Sequence, residues 1–195
     1  MILFTGWKLA GKLSALFVIL LIVVMVFVGV VAANNIRFVI ENTLESNLRA
    51  QSELVGELID ELSTRAVEVA TVISQLDEVR AAYRVEDASR GRAQLSVYIE
   101  TIAQALGEVT DTDEYRIHFH KAPAVSFYRT WTDRAGDDLS SFRGTILEVA
   151  RTRSALKTVE LGRGGFVIRG IAPIVDQGEY VGSVEVYFQP QEIVP

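Results

Sequence analysis

Polar and aromatic side chains recur at every second position in the C-terminal half of the chain. This spacing places side chains on one face of a β-strand. The segment from Tyr115 to His120 shows it most clearly, because apolar and polar residues alternate there. If the polar faces of several such strands meet in one sheet, with an arginine from a neighbouring short helix, they form one ligand-binding site. Its candidate residues are His118, His120, Phe127, Arg129, Trp131, Arg143, Arg169, Glu185 and Tyr187.

The arginines in this set indicate the kind of ligand. A guanidinium group presents a planar fork of donors that matches a carboxylate in two hydrogen bonds. Tryptophan and tyrosine add apolar walls with a polar tip. The combination predicts a small organic anion such as a short carboxylate. In the alternative interpretation, Arg129 and Arg169 lie on a solvated sheet face or pair with Glu185 and Glu160.

The two histidines of the chain, His118 and His120, are spaced by two on a predicted strand. They point the same way, so they are able to ligate a metal with a carboxylate, to bind an anion or to make the site pH-sensitive. A structural role is the alternative, and we expect no metal and no other cofactor. The chain has no cysteine, which excludes thiolate chemistry and disulfides. No nucleophile motif is present, so we expect a non-catalytic region.

Two short motifs beside these strands are explained by local structure. Asp137 and Asp138 precede a predicted short helix, whose exposed N–H groups and dipole favour acidic residues. We therefore expect them to cap that helix rather than to bind a cation. The stretch Gly162–Gly165 lies between two predicted strands and lacks the strand-to-helix context of a phosphate loop, so we expect a hairpin turn.

The N-terminal segment has the composition of a membrane-spanning helix. Leu13–Ile36 contains 24 residues without a charge, a length that crosses a hydrocarbon core of about 30 Å. Lys8 and Lys12 precede it, and the first acid is Glu41. The positive-inside rule then places residues 1–12 in the cytoplasm and everything after Arg37 outside the inner (cell) membrane. A cleaved signal peptide is the alternative, but its apolar core would be shorter.

A helical pattern continues after the membrane segment, through residues 37–80, and predicts one helix from the bilayer to about Val79. Apolar residues step by four and three along it, as in a heptad repeat. This stripe predicts either a homodimer contact or packing against its own domain. The two roles could also share the helix, with its lower part forming the dimer contact. The stripe consists of Leu44, Leu48, Gln51, Val55, Leu58, Leu62, Arg65, Val69, Val72 and Leu76.

The remaining pattern predicts an α+β fold with one largely antiparallel sheet of five strands. A second helix, capped by Asp87 or Ser89, should end near Gly107. A short helix through Arg151 separates the second strand from the third. The predicted strands are 115–120, 125–131, 158–161, 166–175 and 180–188.

Several of these segments resemble Cache-type sensor domains, the PAS-like outer modules of bacterial transmembrane receptors such as chemoreceptors and sensor histidine kinases. The resemblance implies a single Cache module over residues 81–190. It also implies that residues 191–195 begin a link to a second membrane helix, because such receptors normally return through the membrane. The segments that carry it are 118–120, 126–131, 136–143, 160–166, 169–174 and 181–185.

Charge and length agree with this interpretation. The 195 residues carry a net charge of -6, whereas a nucleic-acid binder usually has a basic face. The part outside the anchor is long enough for one core. We therefore predict the ligand-binding region of a bacterial transmembrane receptor, which binds a small organic anion and transmits the signal as a homodimer. The alternative is a protein-interaction module on a membrane anchor, without a small-molecule pocket.

Overall fold

The structure is a computed structural model that describes residues 9–110, 115–162 and 165–188. Residues 1–8 of the predicted cytoplasmic terminus, the predicted link 191–195 and the centre of the predicted turn at 163–164 lie outside the described residues. The chain divides into two units, Met1–Val55 and Gly56–Pro195. In chain order the elements are α1 (Leu9–Ser74), α2 (Asp77–Arg84), α3 (Ala88–Thr110), β1 (Arg116–Lys121), β2 (Val125–Arg129), α4 (Gly144–Thr152), β3 (Leu156–Gly162), β4 (Gly165–Asp176) and β5 (Glu179–Phe188).

The first unit contains the N-terminal part of α1. Among the described residues, α1 is the one helix long and apolar enough to cross a membrane. Its large apolar side chains between Leu13 and Val31 are exposed. Farther along, the stripe residues Leu44, Leu48 and Val55 are also more than half exposed. The lower stripe, Leu44, Leu48 and Val55, is therefore an exposed apolar surface among the described residues of α1.

The second unit contains a five-stranded sheet in the order β2-β1-β5-β4-β3. Every neighbouring pair is antiparallel, which confirms the predicted α+β fold and its sheet. Because strand residues alternate between faces, the sheet has two cores. One face packs on α1 and α3 through residues such as Ala66, Ile99 and Val184, and the other packs on α4 through Ile146.

Two helix boundaries differ from the prediction. α1 ends at Ser74 instead of near Val79, because its last turn tightens through bonds from the Gln75 and Leu76 amides to carbonyls three residues back. Leu76 is then extended, and Val79 belongs to α2. The predicted end of the next helix near Gly107 is also wrong, since α3 continues to Thr110.

Candidate functional site

A buried cluster of charged and polar side chains lies on the sheet face that α4 covers. The antiparallel register of β1 and β5 pairs His118 with Glu185 and His120 with Ser183. His120 and Glu185 are fully buried, and His118 is 3% exposed. Buried ionisable side chains are costly unless they are paired, so the contacts inside this cluster determine what it can do.

The two imidazoles form a short chain of hydrogen bonds. His120 Nε2 lies 3.0 Å from His118 Nδ1. The outer nitrogens, His118 Nε2 and His120 Nδ1, lie 2.9 Å from the Ser126 hydroxyl and 3.0 Å from the Ser183 hydroxyl. Burial lowers the pKa of both histidines, and that of His120 lies well below the usual value for histidine. Glu185 acts in the opposite direction on both. Both rings are therefore neutral at pH 7.

Two arginines reach Glu185 from the other side. Arg143 Nη2 lies 2.7 Å from Glu185 Oε1, and Arg169 Nη1 donates to the same oxygen. Burial acts to raise the pKa of Glu185, but the two guanidinium groups outweigh it and hold that pKa well below its ordinary value. Glu185 is therefore a carboxylate at pH 7.

A second acid, Glu160 of β3, completes the charged part of the cluster. Its Oε2 lies 3.2 Å from Arg169 Nε and 3.6 Å from Arg143 Nε. The side chain of Glu160 is 22% exposed, whereas that of Glu185 is fully buried. The two arginines and two acids balance in charge. The structure thus contains the pairing of Arg169 with Glu185 and Glu160 that the sequence left open as an alternative.

Aromatic rings border the charged groups. The rings of Trp131 and Tyr187 meet edge to face with centroids 5.2 Å apart, and the Arg169 guanidinium lies 5.0 Å from the centre of the Tyr187 ring. Trp131 also contacts the His118 ring at 5.7 Å. Seven of the nine predicted residues are thus brought together: His118, His120, Trp131, Arg143, Arg169, Glu185 and Tyr187.

Phe127 lies on the opposite face of the sheet. The β1–β2 register shifts between Phe119 and His120, so Ser126 instead of Phe127 faces the histidines. Phe127 packs in the core that faces the helices, with its ring 4.9 Å from that of Tyr83. The prediction that Phe127, Arg129 and Trp131 share one face is wrong, because a bulge reverses the alternation of side chains.

Arg129 stabilises a loop beside the cluster. Its guanidinium binds both carboxylate oxygens of Asp137, at 3.0 and 2.8 Å, and donates to the Arg134 carbonyl at 2.5 Å. Asp137 therefore does not cap the short helix. α4 begins at Gly144 without a side-chain cap, and Asp138 instead accepts a bond from the Ser140 amide in the preceding turn.

Three residues of the cluster were not among the predicted ligand contacts. Ser183 has the same parity as Glu185 and Tyr187, so the alternation of β5 could have identified it. Ser126 could not be identified because the bulge changes its face. Glu160 appeared only as a possible partner of an arginine, although the predicted hairpin turn at Gly162–Gly165 already placed β3 beside β4.

Comparisons with known proteins place this fold among sensor domains. A family model described as a double sensory domain of two-component sensor kinase matches residues 41–189. Similar crystal structures include the sensor domain of Escherichia coli DcuS, with 18% identity, a TM-score of 0.53, and coverage of 69% of this chain and 93% of that one. No curated protein matches the sequence.

Two longer structures from Vibrio are also similar. The sensor domain of the V. cholerae histidine kinase DctB has 15% identity and a TM-score of 0.57, with 78% of this chain and 57% of that chain covered. A domain of a putative sensory box/GGDEF family protein from Vibrio parahaemolyticus has 16% identity, a TM-score of 0.50, and coverage of 75% and 60%. This chain therefore spans less than two thirds of both, and the likeness concerns the fold.

Proposed function

Because this chain belongs to the family of double sensory domains of two-component sensor kinases, we propose that it is the ligand-binding region of a bacterial transmembrane receptor. Its ligand is a small organic anion with a carboxylate group, and the region itself is non-catalytic. The observation that supports this most is the pair of buried arginines, Arg143 and Arg169, on the sheet face under α4.

Each of the two guanidinium groups has an N–H donor that is not used in a hydrogen bond among the described residues. Arg143 Nε and Arg169 Nε are buried and make no hydrogen bond among the described residues, although both face Glu160 Oε2. A buried donor without an acceptor costs about 1–3 kcal/mol. A ligand carboxylate that displaces Glu160 would accept from both Nε atoms in charge-assisted bonds.

The remaining cluster residues give this ligand its surroundings. Trp131 and Tyr187 supply apolar ring faces for a short carbon chain. Glu185 lies behind the arginines and orients them by accepting hydrogen bonds from both. His118 and His120 are neutral donors and acceptors on the third side. Arg129 is engaged by Asp137, so we propose that it acts on the loop instead of on the ligand.

The route of the signal follows from the position of Arg169. We propose that α1 crosses the inner membrane with its N-terminus in the cytoplasm and the sensor outside. A shift of Arg169 on ligand binding would reach α1 through the neighbouring Gly170, which lies against Ala66 and Val67. A homodimer through Leu44, Leu48 and Val55 would pass that shift along paired helices.

Calorimetric titration of the full chain in detergent micelles tests the ligand class. Short mono- and dicarboxylates would be compared with their uncharged amides in the presence of a chelator. We expect binding heat for at least one carboxylate and none for the matching amide. Binding of uncharged or cationic compounds alone would contradict the anion proposal. A folded protein that binds no small molecule at all would favour the protein-interaction alternative.

A further inference from the structure

One side of the buried cluster has an arrangement that the arginines do not explain. His118 Nδ1, His120 Nε2 and Glu185 Oε2 converge on one point, with separations of 3.0, 3.6 and 3.6 Å. Each of the three residues offers one ligand atom there, and all three residues are buried. Two imidazoles and a carboxylate are a frequent ligand set for Zn²⁺.

The separations fit the size of such an ion. A triangle with sides of 3.0, 3.6 and 3.6 Å has its equidistant point about 2.0 Å from each corner. An ion displaced from that plane by about 0.7 Å has bonds of about 2.1 Å, as in a tetrahedral site with three protein ligands. The fourth position would then lie on the side to which the ion is displaced.

The outer nitrogens of both rings are held as metal-binding histidines require. His118 Nε2 contacts the Ser126 hydroxyl at 2.9 Å, and His120 Nδ1 contacts that of Ser183 at 3.0 Å. Without a metal, one ring donates to the other between these two nitrogens. With a metal bound, each ring would donate its N–H to its serine, and the lone pairs of His118 Nδ1 and His120 Nε2 would both face the convergence point. Such outer bonds fix the tautomer and orientation of a ligating histidine.

The oxygen that faces the histidines has no hydrogen bond. Glu185 Oε2 is buried and makes none among the described residues, whereas Oε1 is bound by Arg143 and Arg169. A fully buried carboxylate oxygen without a donor is costly. A metal ion would satisfy it without competing with the arginines, because the two sides use different oxygens.

We infer that His118, His120 and Glu185 bind one divalent transition-metal ion, with Zn²⁺ as the best match. This departs from the sequence-based expectation of no metal, because the β1–β5 register that brings Glu185 to the histidines was not predictable. The charges of Arg143, Arg169, Glu160 and Glu185 already balance, so an anionic fourth ligand such as hydroxide or a carboxylate would offset half of the ion's charge. The inference does not depend on the organic-anion proposal.

The test uses the full chain in detergent micelles with a histidine-free affinity tag. The protein is stripped with a chelator, dialysed against ZnCl₂ and analysed for bound zinc, without any organic anion. The variants are His118→Gln and Glu185→Gln, and the control is Glu148→Gln, which removes an acid at an exposed pair with Arg151 outside the cluster. We expect one Zn²⁺ per chain in the wild type and the control, and more than tenfold weaker binding in both variants.

X-ray absorption of the wild-type zinc protein gives a second measurement that needs no variant, in case the substitutions prevent folding. We expect two imidazole nitrogens and at least one oxygen around the zinc. Absence of stoichiometric zinc, a zinc environment without imidazole, or unchanged affinity in folded His118→Gln would each overturn the inference. Because carboxylate binding is measured with a chelator present, either proposal can fail while the other stands.

Discussion

Gly170 of β4 lies against the backbone of Val67 in α1, so closely that a Cβ atom on Gly170 would overlap the Val67 amide nitrogen. The preceding residue, Arg169, points to the opposite face of the sheet and binds Glu185. Neighbouring residues of one strand thus contact the charged cluster on one side and the long helix on the other. This contact joins the strand that carries Arg169 directly to α1.

Substitution of Gly170 by alanine should destabilise the second unit. The neighbouring atoms belong to the α1 backbone, which cannot move aside as a flexible side chain could. We expect the free energy of unfolding to fall by about 3 kcal/mol, which is the upper part of the range for overpacking. The melting temperature should then be lower by roughly 6–12 °C. Gly144→Ala in α4 is the control, because its Cβ meets nothing within 4 Å. Equal melting temperatures for the two variants would contradict the close contact.

Removal of the charge on Glu160 should strengthen anion binding. Glu160 Oε2 faces Arg143 Nε and Arg169 Nε, the donors proposed for the ligand carboxylate, so Glu160→Gln removes a competitor. We expect the affinity for the carboxylate, measured by calorimetry, to rise about tenfold. This corresponds to ~1.4 kcal/mol of binding free energy. Glu148→Gln on α4 changes the net charge by the same amount, but Glu148 lies in an exposed pair with Arg151. This control should therefore have no effect on carboxylate affinity. Weaker binding in Glu160→Gln would mean that Glu160 itself contacts the ligand.

The Arg129–Asp137 pair should stabilise the loop in a pH-dependent way. Hydrogen bonds from Arg129 lower the pKa of Asp137, and burial opposes them only partly. An aspartate with a lowered pKa in the folded protein stabilises the fold at any pH above its pKa in the unfolded chain, ~3.9. This stabilisation is lost as the pH falls through the lower pKa of the folded protein. Asp137→Asn should therefore be less stable than the wild type by about 1 kcal/mol at pH 6, and the difference should be smaller at pH 3, below the unfolded value.

Thermal melts at the two pH values measure this difference. Asp133→Asn is the matched control, since Asp133 is an exposed acid in the same loop. Its melting temperature should equal that of the wild type at pH 6. A gap between Asp137→Asn and the wild type that is as large at pH 3 as at pH 6 would show that the ion pair is not its source.

The exposed lower stripe of α1 should form the dimer contact. The natural chain has no cysteine, so single cysteines can be cross-linked in membranes without background. Leu44→Cys, Leu48→Cys and Val55→Cys lie on the stripe, whereas Ser46→Cys and Ser52→Cys lie off it. Because heptad positions of paired helices face each other, we expect several-fold faster disulfide formation at the stripe positions. Similar rates at all five positions would argue against this dimer.

Alternation along the strands predicted much of the cluster correctly. His118, His120, Arg169, Glu185 and Tyr187 lie on one face because β1, β4 and β5 are regular in this region. The same rule failed for Phe127, since nothing in the residues around Ser126 marks the bulge of β2. A one-residue slip reverses the face of every following side chain.

Other features depend on contacts that a single sequence does not reveal. The heptad pattern continues to Leu76, but α1 ends at Ser74 where its last turn tightens, and neither glycine nor proline marks that point. Arg129 looked like a ligand contact because its type and parity fit. Its engagement by Asp137 depends on how the loop folds back along β2.

The central claim is that Arg143 and Arg169 hold the carboxylate of a small organic anion. The most direct test compares the calorimetric Kd of the best-binding carboxylate for the wild type and Arg143→Lys. Lysine keeps the charge near Glu185 but removes the donor fork. We predict binding weaker by about tenfold to a hundredfold, since one charge-assisted hydrogen bond contributes ~1.5–3 kcal/mol. An unchanged Kd in folded Arg143→Lys would contradict the claim.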